Sequence, residues 1–185
     1  IGLEEPLEDD RMDVGLPEDH PTIASLLKQN GYETALVGKW HLGNLAQYGP
    51  NRHGFDEFFG INGSAADYFT HNNAVGRFDL YENLEQSKEQ GYLTDLFTQR
   101  AVRIVSRKHT KPFFLSLHYN APHWPWEGPG DRNIDHDHRI GGRGLPVGGG
   151  SLSTYGAMMK RMDAGISEVL KALKAAPLER NTLVI

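Results

Sequence analysis

The chain has 185 residues, of which 38% are hydrophobic and 23% charged, and a formal net charge of −5. That is enough for one ordinary domain with a real core, and the balance is that of a globular chain, not a disordered one. No basic block offers a footprint for nucleic acid, no apolar run reaches the length of a bilayer-crossing segment, and the lack of any Cys excludes a disulfide framework, a thiolate nucleophile and a cysteine metal site.

Residues 1–19 are acidic and irregular, with Pro6 and Pro17 breaking any period, and read as an entry loop. Pro21 suits a first helical position, Ile23, Leu26 and Leu27 fall at helical spacing, and Gly31 stands where a left-handed residue would end the helix. A short strand, Thr34 to Val37, follows and runs straight into Gly38-Lys39-Trp40-His41-Leu42-Gly43. If the backbone stays extended past Gly38, Lys39 and His41 point to one side and Trp40 to the other. The span Tyr48 to Gly63, centred on His53-Gly54-Phe55-Asp56, has the Gly, Pro, Asn and aromatic content of an ordered loop. Residues 64–90 carry weak periodicity, as irregular chain or short strands.

Leu93, Leu96, Phe97, Ala101, Ile104 and Val105 describe an amphipathic helix reaching about Arg107. Pro112 then opens Phe113 to Tyr119, a run fit for a buried strand, which ends in the polar turn Asn120-Ala121-Pro122-His123-Trp124-Pro125-Trp126. Residues 127–151 read as loop. A long amphipathic helix follows, marked by Tyr155, Met158, Met159, Met162, Ile166, Val169, Leu170 and Leu173, and Leu183 to Ile185 read as a further strand. The alternation predicts an α/β fold, a parallel sheet covered by helices, in one domain over residues 1–185. Ligands of such sheets bind beyond the carboxyl ends of the strands, so Lys39, His41 and His123 are expected at a common edge. One ammonium and two imidazoles there suit an oxyanion such as sulfate or phosphate, with histidine able to move a proton at a leaving oxygen.

These residues carry a family likeness. Gly31-Tyr-x-Thr-Ala-x-x-Gly-Lys-Trp-His-Leu-Gly43 resembles the second signature of the sulfatases, formylglycine-dependent sulfate ester hydrolases of the alkaline-phosphatase-like superfamily. Pro50 to Gly60 resembles their His-Gly-Phe-Asp segment, Pro112 to His123 their Pro-Phe-Phe-Leu strand and Ala-Pro-His turn, and Tyr155 to Ile185 their helix and following strand. The family's Cys/Ser-x-Pro-x-Arg nucleophile motif is absent, as are its paired metal-binding Asp and its later Asp-Asn pair. The chain therefore reads as an interior piece of a sulfatase domain, inactive alone and expected to expose sheet edges and be poorly stable.

The resemblance implies sulfate ester hydrolysis in the complete protein. A formylglycine nucleophile and a divalent ion, Ca²⁺ by resemblance, would be supplied from outside these residues. It implies that Lys39 holds the sulfate and the nucleophile's oxygen, that His41 takes the proton from the remaining hydroxyl, and that His123 contacts sulfate and helps protonate the departing alcohol. No metal ligand is assigned within the chain. Trp124, with Trp126, lines a sugar or aryl pocket or else caps the core. The implied partner is a small-molecule or carbohydrate sulfate ester, with no nucleic acid and no membrane segment, in an extracytoplasmic compartment. Two other readings remain: a phosphoester or phosphonate hydrolase of the same superfamily, and a non-catalytic anion-binding remnant. His118 reads as a satisfied histidine, His53 as structural through hydrogen bonds, Asp135 to His138 as solvated, and Asn62-Gly63-Ser64 as a glycosylation pattern common by chance.

Overall fold

The computed structural model describes residues 10–131, 150–176 and 178–185. Among these residues the sheet has five strands in the order β4-β3-β2-β1-β5. They are β1 (Glu33–Lys39), β2 (Glu57–Ile61), β3 (Tyr81–Glu82), β4 (Glu85–Gln86) and β5 (Phe113–His118). β1 pairs in parallel with β2 on one side and β5 on the other, while β3 and β4 are added antiparallel. The expected parallel sheet is thus the middle of a mixed one. β3 returns as β4 through a tight turn, which only antiparallel strands allow, and Asn83 at φ 54° supplies the left-handed residue such a turn needs.

Residues 34–38 of β1 are all buried, as befits a central strand covered on both faces. Strand alternation sorts the side chains into two cores. Ala35 and Val37 join Phe59 and Ile61 of β2 against Leu93, Leu96, Phe97 and Ile104 of α2 (Leu93–Ser106) and Met158 of α3 (Leu152–Ala175). Leu36 and Phe58 face the other way, with Trp40, Phe55 and Leu16, against Ala24 of α1 (Ile23–Gln29). Leu36, Val37, Phe59, Ile61 and Phe97 are at most 1% exposed, and burying each stabilises the fold by roughly 1.5–3 kcal/mol.

The helices start where local chemistry allows. Thr22 caps α1, which leaves Pro21 before the cap and not at the first helical position: the Thr22 hydroxyl oxygen accepts from Ser25 N (3.0 Å), and Ser25 Oγ accepts from Thr22 N (2.9 Å). The Thr22 hydroxyl also donates to His53 O (2.6 Å), tying the helix to the loop before β2. α2 keeps the expected apolar stripe and carries Asp95 in its first turn, a carboxylate well placed for the helix dipole. Asp95 pairs with Arg161, which fixes α3 across α2.

Three expectations are corrected. The span Tyr48 to Gly63 is not all loop, because residues 57–61 form β2, whose last four residues are buried. Among the described residues β5 is an edge strand and not a buried one: residues 113–117 are half-buried and His118 is exposed, since β1 alone of these pairs with it. Residues 182–185 form no strand; Leu183 and Ile185 are 84% and 105% exposed, and a segment with no ladder partner has nothing to hold it as one.

Candidate active site

β1, β2 and β5 run in the same direction, so their carboxyl ends make one edge. Backbone bonds hold it together. Trp40 N donates to Ile61 O (2.9 Å) and His41 N to Asn62 O (3.1 Å), joining the exits of β1 and β2. The Nδ1–H of His118, the last residue of β5, donates to Lys39 O (2.9 Å), joining β5 to β1. The Ser116 hydroxyl donates to Nε2 of the same ring (2.7 Å), so both nitrogens of His118 have partners. His118 is satisfied, as expected, but as an exposed strand clamp outside the core.

Two glycines let the strands come this close. Gly38 is in register with Gly60 of β2 and His118 of β5. A Cβ on Gly38, at φ 117°, would lie 1.8 Å from His118 O, and one on Gly60 would lie 1.8 Å from Gly38 O. No side chain fits in either place.

Lys39 closes β1 half-buried, in register with Ile61. The extended backbone does not continue to His41, which turns at φ 57°. Strand alternation therefore does not set Lys39 and His41 on one side; they stand at the same exit through a left-handed turn. Such a conformation costs a non-glycine residue about 1 kcal/mol and is held by its surroundings, here the bond to Asn62 O. Trp40 packs inward, as expected: it is 8% exposed, stacks on His53 at 5.4 Å, and donates its indole N–H to Tyr48 O (2.7 Å). His53 is structural by that stacking more than by its ring nitrogens, which are buried without a well-formed hydrogen bond, and burial holds its pKa below the usual histidine value.

His123 lies beyond β5 on an exposed turn, its N–H bonded to Asn120 O (2.8 Å). Its Nδ1–H donates to Trp124 O (2.6 Å), which fixes the tautomer and leaves Nε2 as the nitrogen that exchanges protons. Trp124 is half-buried. Trp126 packs on the α2–α3 core and meets Tyr155 edge-on at 5.5 Å, so of the two tryptophans this one caps the core.

Several buried polar residues were not singled out by the sequence reading. Asp79 accepts from Asn62 N (3.1 Å) and Gly63 N (2.9 Å), pinning the exit of β2. Asp67 accepts from Phe69 N and Thr70 N, and Glu127 accepts from Tyr68 N (2.7 Å). Glu127 is only 2% exposed, and its burial, with Asp67 beside it, pushes its pKa up to about 8. All lie in aperiodic stretches where a carboxylate looks like any surface residue, so the sequence holds no signal for them. The cluster 135–138 lies outside the described residues. Among the described residues no three His, Asp or Glu gather as a metal centre, and the chain contains no Cys. The described residues offer no ligand set for a resident ion, and the chain holds no Cys/Ser-x-Pro-x-Arg run from which formylglycine is made.

Comparison with known proteins agrees with this architecture. The family model described as Sulfatase matches residues 4–185. Arylsulfatase J of Mus musculus is 36% identical over 179 residues, covering 92% of this chain and 29% of that protein. The N-acetylgalactosamine-6-sulfatase of Mus musculus is 29% identical over 185 residues, covering 92% of this chain and 32% of that protein. The chain thus spans about a third of the relatives it matches. Among solved structures, Ps i-CgsB superposes with a TM-score of 0.73 at 30% identity over 94% of this chain and 40% of that one. The same protein in complex with k-i-k-neocarrahexaose gives 0.73 at 31%. A mixed sheet between helix layers, the ordered motifs and a match along nearly the whole length agree: the chain belongs to the sulfatase family, with its alkaline-phosphatase-like α/β fold.

Proposed function

We propose that the protein hydrolyses sulfate esters, those of carbohydrates first, at the edge where β1 and β5 end. One observation carries the reading: β1 and β5 are adjacent and parallel, so the segments bearing Lys39, His41 and His123 leave the sheet from the same side. In this reading Lys39 supplies a compact positive charge for the sulfate oxygens. His123, its Nδ1–H held by Trp124 O, offers Nε2–H to the departing alcohol oxygen, and an imidazolium there donates the proton that an alkoxide needs to leave. His41 holds or accepts a proton at the same edge. Trp124 gives an apolar face for the sugar or aryl group.

Calcium and formylglycine belong to this reading as what the resemblance implies for the complete protein, and the residues described here account for the sulfate-side groups alone. The preference for carbohydrate is supported by the neocarrahexaose bound to Ps i-CgsB and by the name of the N-acetylgalactosamine-6-sulfatase. An extracytoplasmic location is part of the same proposal. Among the described residues no helix is long and apolar enough to cross a membrane.

The test uses the protein expressed from its complete reading frame, assayed on an aryl sulfate, a sulfated disaccharide and an aryl phosphate. Lys39→Ala and His123→Ala should each lower kcat/KM for sulfate esters by about 10²–10⁴-fold with the fold retained. Faster turnover of the phosphate, or full activity in both variants, overturns the reading.

A further inference from the structure

The proposed function uses His123 but does not explain what aims an exposed turn. Both ends of the segment 123–127 are tied to one pair of aromatic rings. Tyr68 donates its hydroxyl to His123 O (3.1 Å), and Tyr92 donates its hydroxyl to Glu127 O (2.7 Å). The two rings stack at 5.3 Å with 24° between their planes, and Tyr68 is fully buried. Beneath them the Glu127 carboxyl accepts from Tyr68 N (2.7 Å) and lies beside the carboxyl of Asp67, which raises its pKa. Asp67 in turn holds the backbone N–H groups of Phe69 and Thr70.

We propose that the buried Glu127 carboxyl, beside Asp67, is the positioning element of His123, its bond to Tyr68 N holding the Tyr68 and Tyr92 anchors, and with them the 123–127 turn, in the arrangement that serves proton donation. The proposal rests on the reading of His123 as the group that protonates the leaving oxygen. The groups facing Glu127 are Asp67 and Asp131, both acidic, with Tyr68 and Tyr92. Ionisation of Glu127 sets a buried negative charge beside Asp67 with Asp131 nearby, and the turn loses its lower support. Glu127 is protonated up to about pH 8, so the arrangement holds at neutral pH and gives way as pH rises through that value. Glu127 is a positioning residue: nothing requires it to touch substrate.

The protein from its complete reading frame, labelled with fluorotryptophan, gives the test. Fluorine resonances of Trp124 and Trp126, assigned through Trp→Phe variants, should move together with a midpoint near pH 8. Glu127→Gln keeps an acceptor for Tyr68 N and an amide donor for Asp67 but cannot ionise, and the movement should vanish in it. Asp67→Asn leaves Glu127 ionisable without its charged neighbour, and the midpoint should fall. On a sulfate ester, kcat should fall further through the same pH window in the native protein than in Glu127→Gln, with KM changed by less than about twofold. Resonances that titrate alike in the native protein and Glu127→Gln, or matching alkaline limbs of kcat, overturn the inference. A titration that depends on Glu127 in a protein without sulfatase activity upholds the carboxyl pair as the support of the turn and overturns the proposed function.

Discussion

The two ends of the parallel strands are built from different materials. At the amino end, charges from separate elements neutralise one another. Glu33 takes His109 Nδ1 at 2.9 Å and Arg107 at 3.4 Å, Arg107 also reaches Glu57, and Lys28 pairs with Asp56 at 2.7 Å. Asp56 and the Thr34 hydroxyl close the start of β1 as well, since Thr34 N donates to Asp56 Oδ2 (3.0 Å) and Thr34 Oγ1 to Gly54 O (2.7 Å). At the carboxyl end the bonds between strand exits run through backbone amides, the ring of His118 and the buried carboxylate of Asp79. One end is closed by ion pairs between side chains; the other is held by bonds to backbone groups under an exposed imidazole. That contrast separates the end that stabilises from the end that can meet a ligand.

Substitutions at each end sharpen the contrast. Gly38→Ala should have the largest effect on stability, because its Cβ meets His118 O at 1.8 Å and its φ of 117° suits no side chain. A loss of about 3 kcal/mol or more is expected in denaturant unfolding. The same substitution should also reduce activity, since it moves the exits of β1 and β5 apart. At the other end, Thr22→Ala removes the cap of α1 and the bond to His53 O. It should cost about 1 kcal/mol in the same measurement and leave kcat unchanged. Glu33→Gln should cost less, under about 1 kcal/mol, because the pairs it breaks are partly solvated. The hydrogen bond from His109 holds the Glu33 pKa below its usual 4.5. The contribution of the carboxylate is therefore present above pH 4.5 and fades as pH falls through its lowered value, so the difference between Glu33→Gln and the native protein should shrink in acid. A Glu33→Gln variant that loses activity but not stability would break the comparison between the ends.

How much of this was legible in the sequence follows from the range of each interaction. α2 and α3 announce themselves because a single face repeats along each helix, β1 because its short apolar run ends at a glycine, and the order of elements was enough to expect the segments after β1 and β5 at one edge. β2 was missed because Phe58-Phe59-Gly60-Ile61 is too short and too aromatic to tell from a packed loop; what makes it a strand is the register of Gly60 against Gly38. β5 was read as buried because Phe113 to Leu117 are apolar, but burial depends on having neighbours on both sides. The left-handed turn at His41 and the carboxyl pair of Asp67 and Glu127 left no local trace. The first is imposed by the neighbouring strand exit, and the second joins residues 60 positions apart around a tyrosine pair that only the fold brings together.

The glycine row also bears on engineering. Gly38 and Gly60 leave no room for side chains between three strand exits, so a library that varies either position spends its diversity on variants that misfold. The turn 121–126 projects from that row and is moored by Tyr68 and Trp126 at positions away from the His123 ring. Pro122 and Trp124 are the positions of that turn free to vary around a fixed His123, with the glycines and the tyrosine moorings held constant.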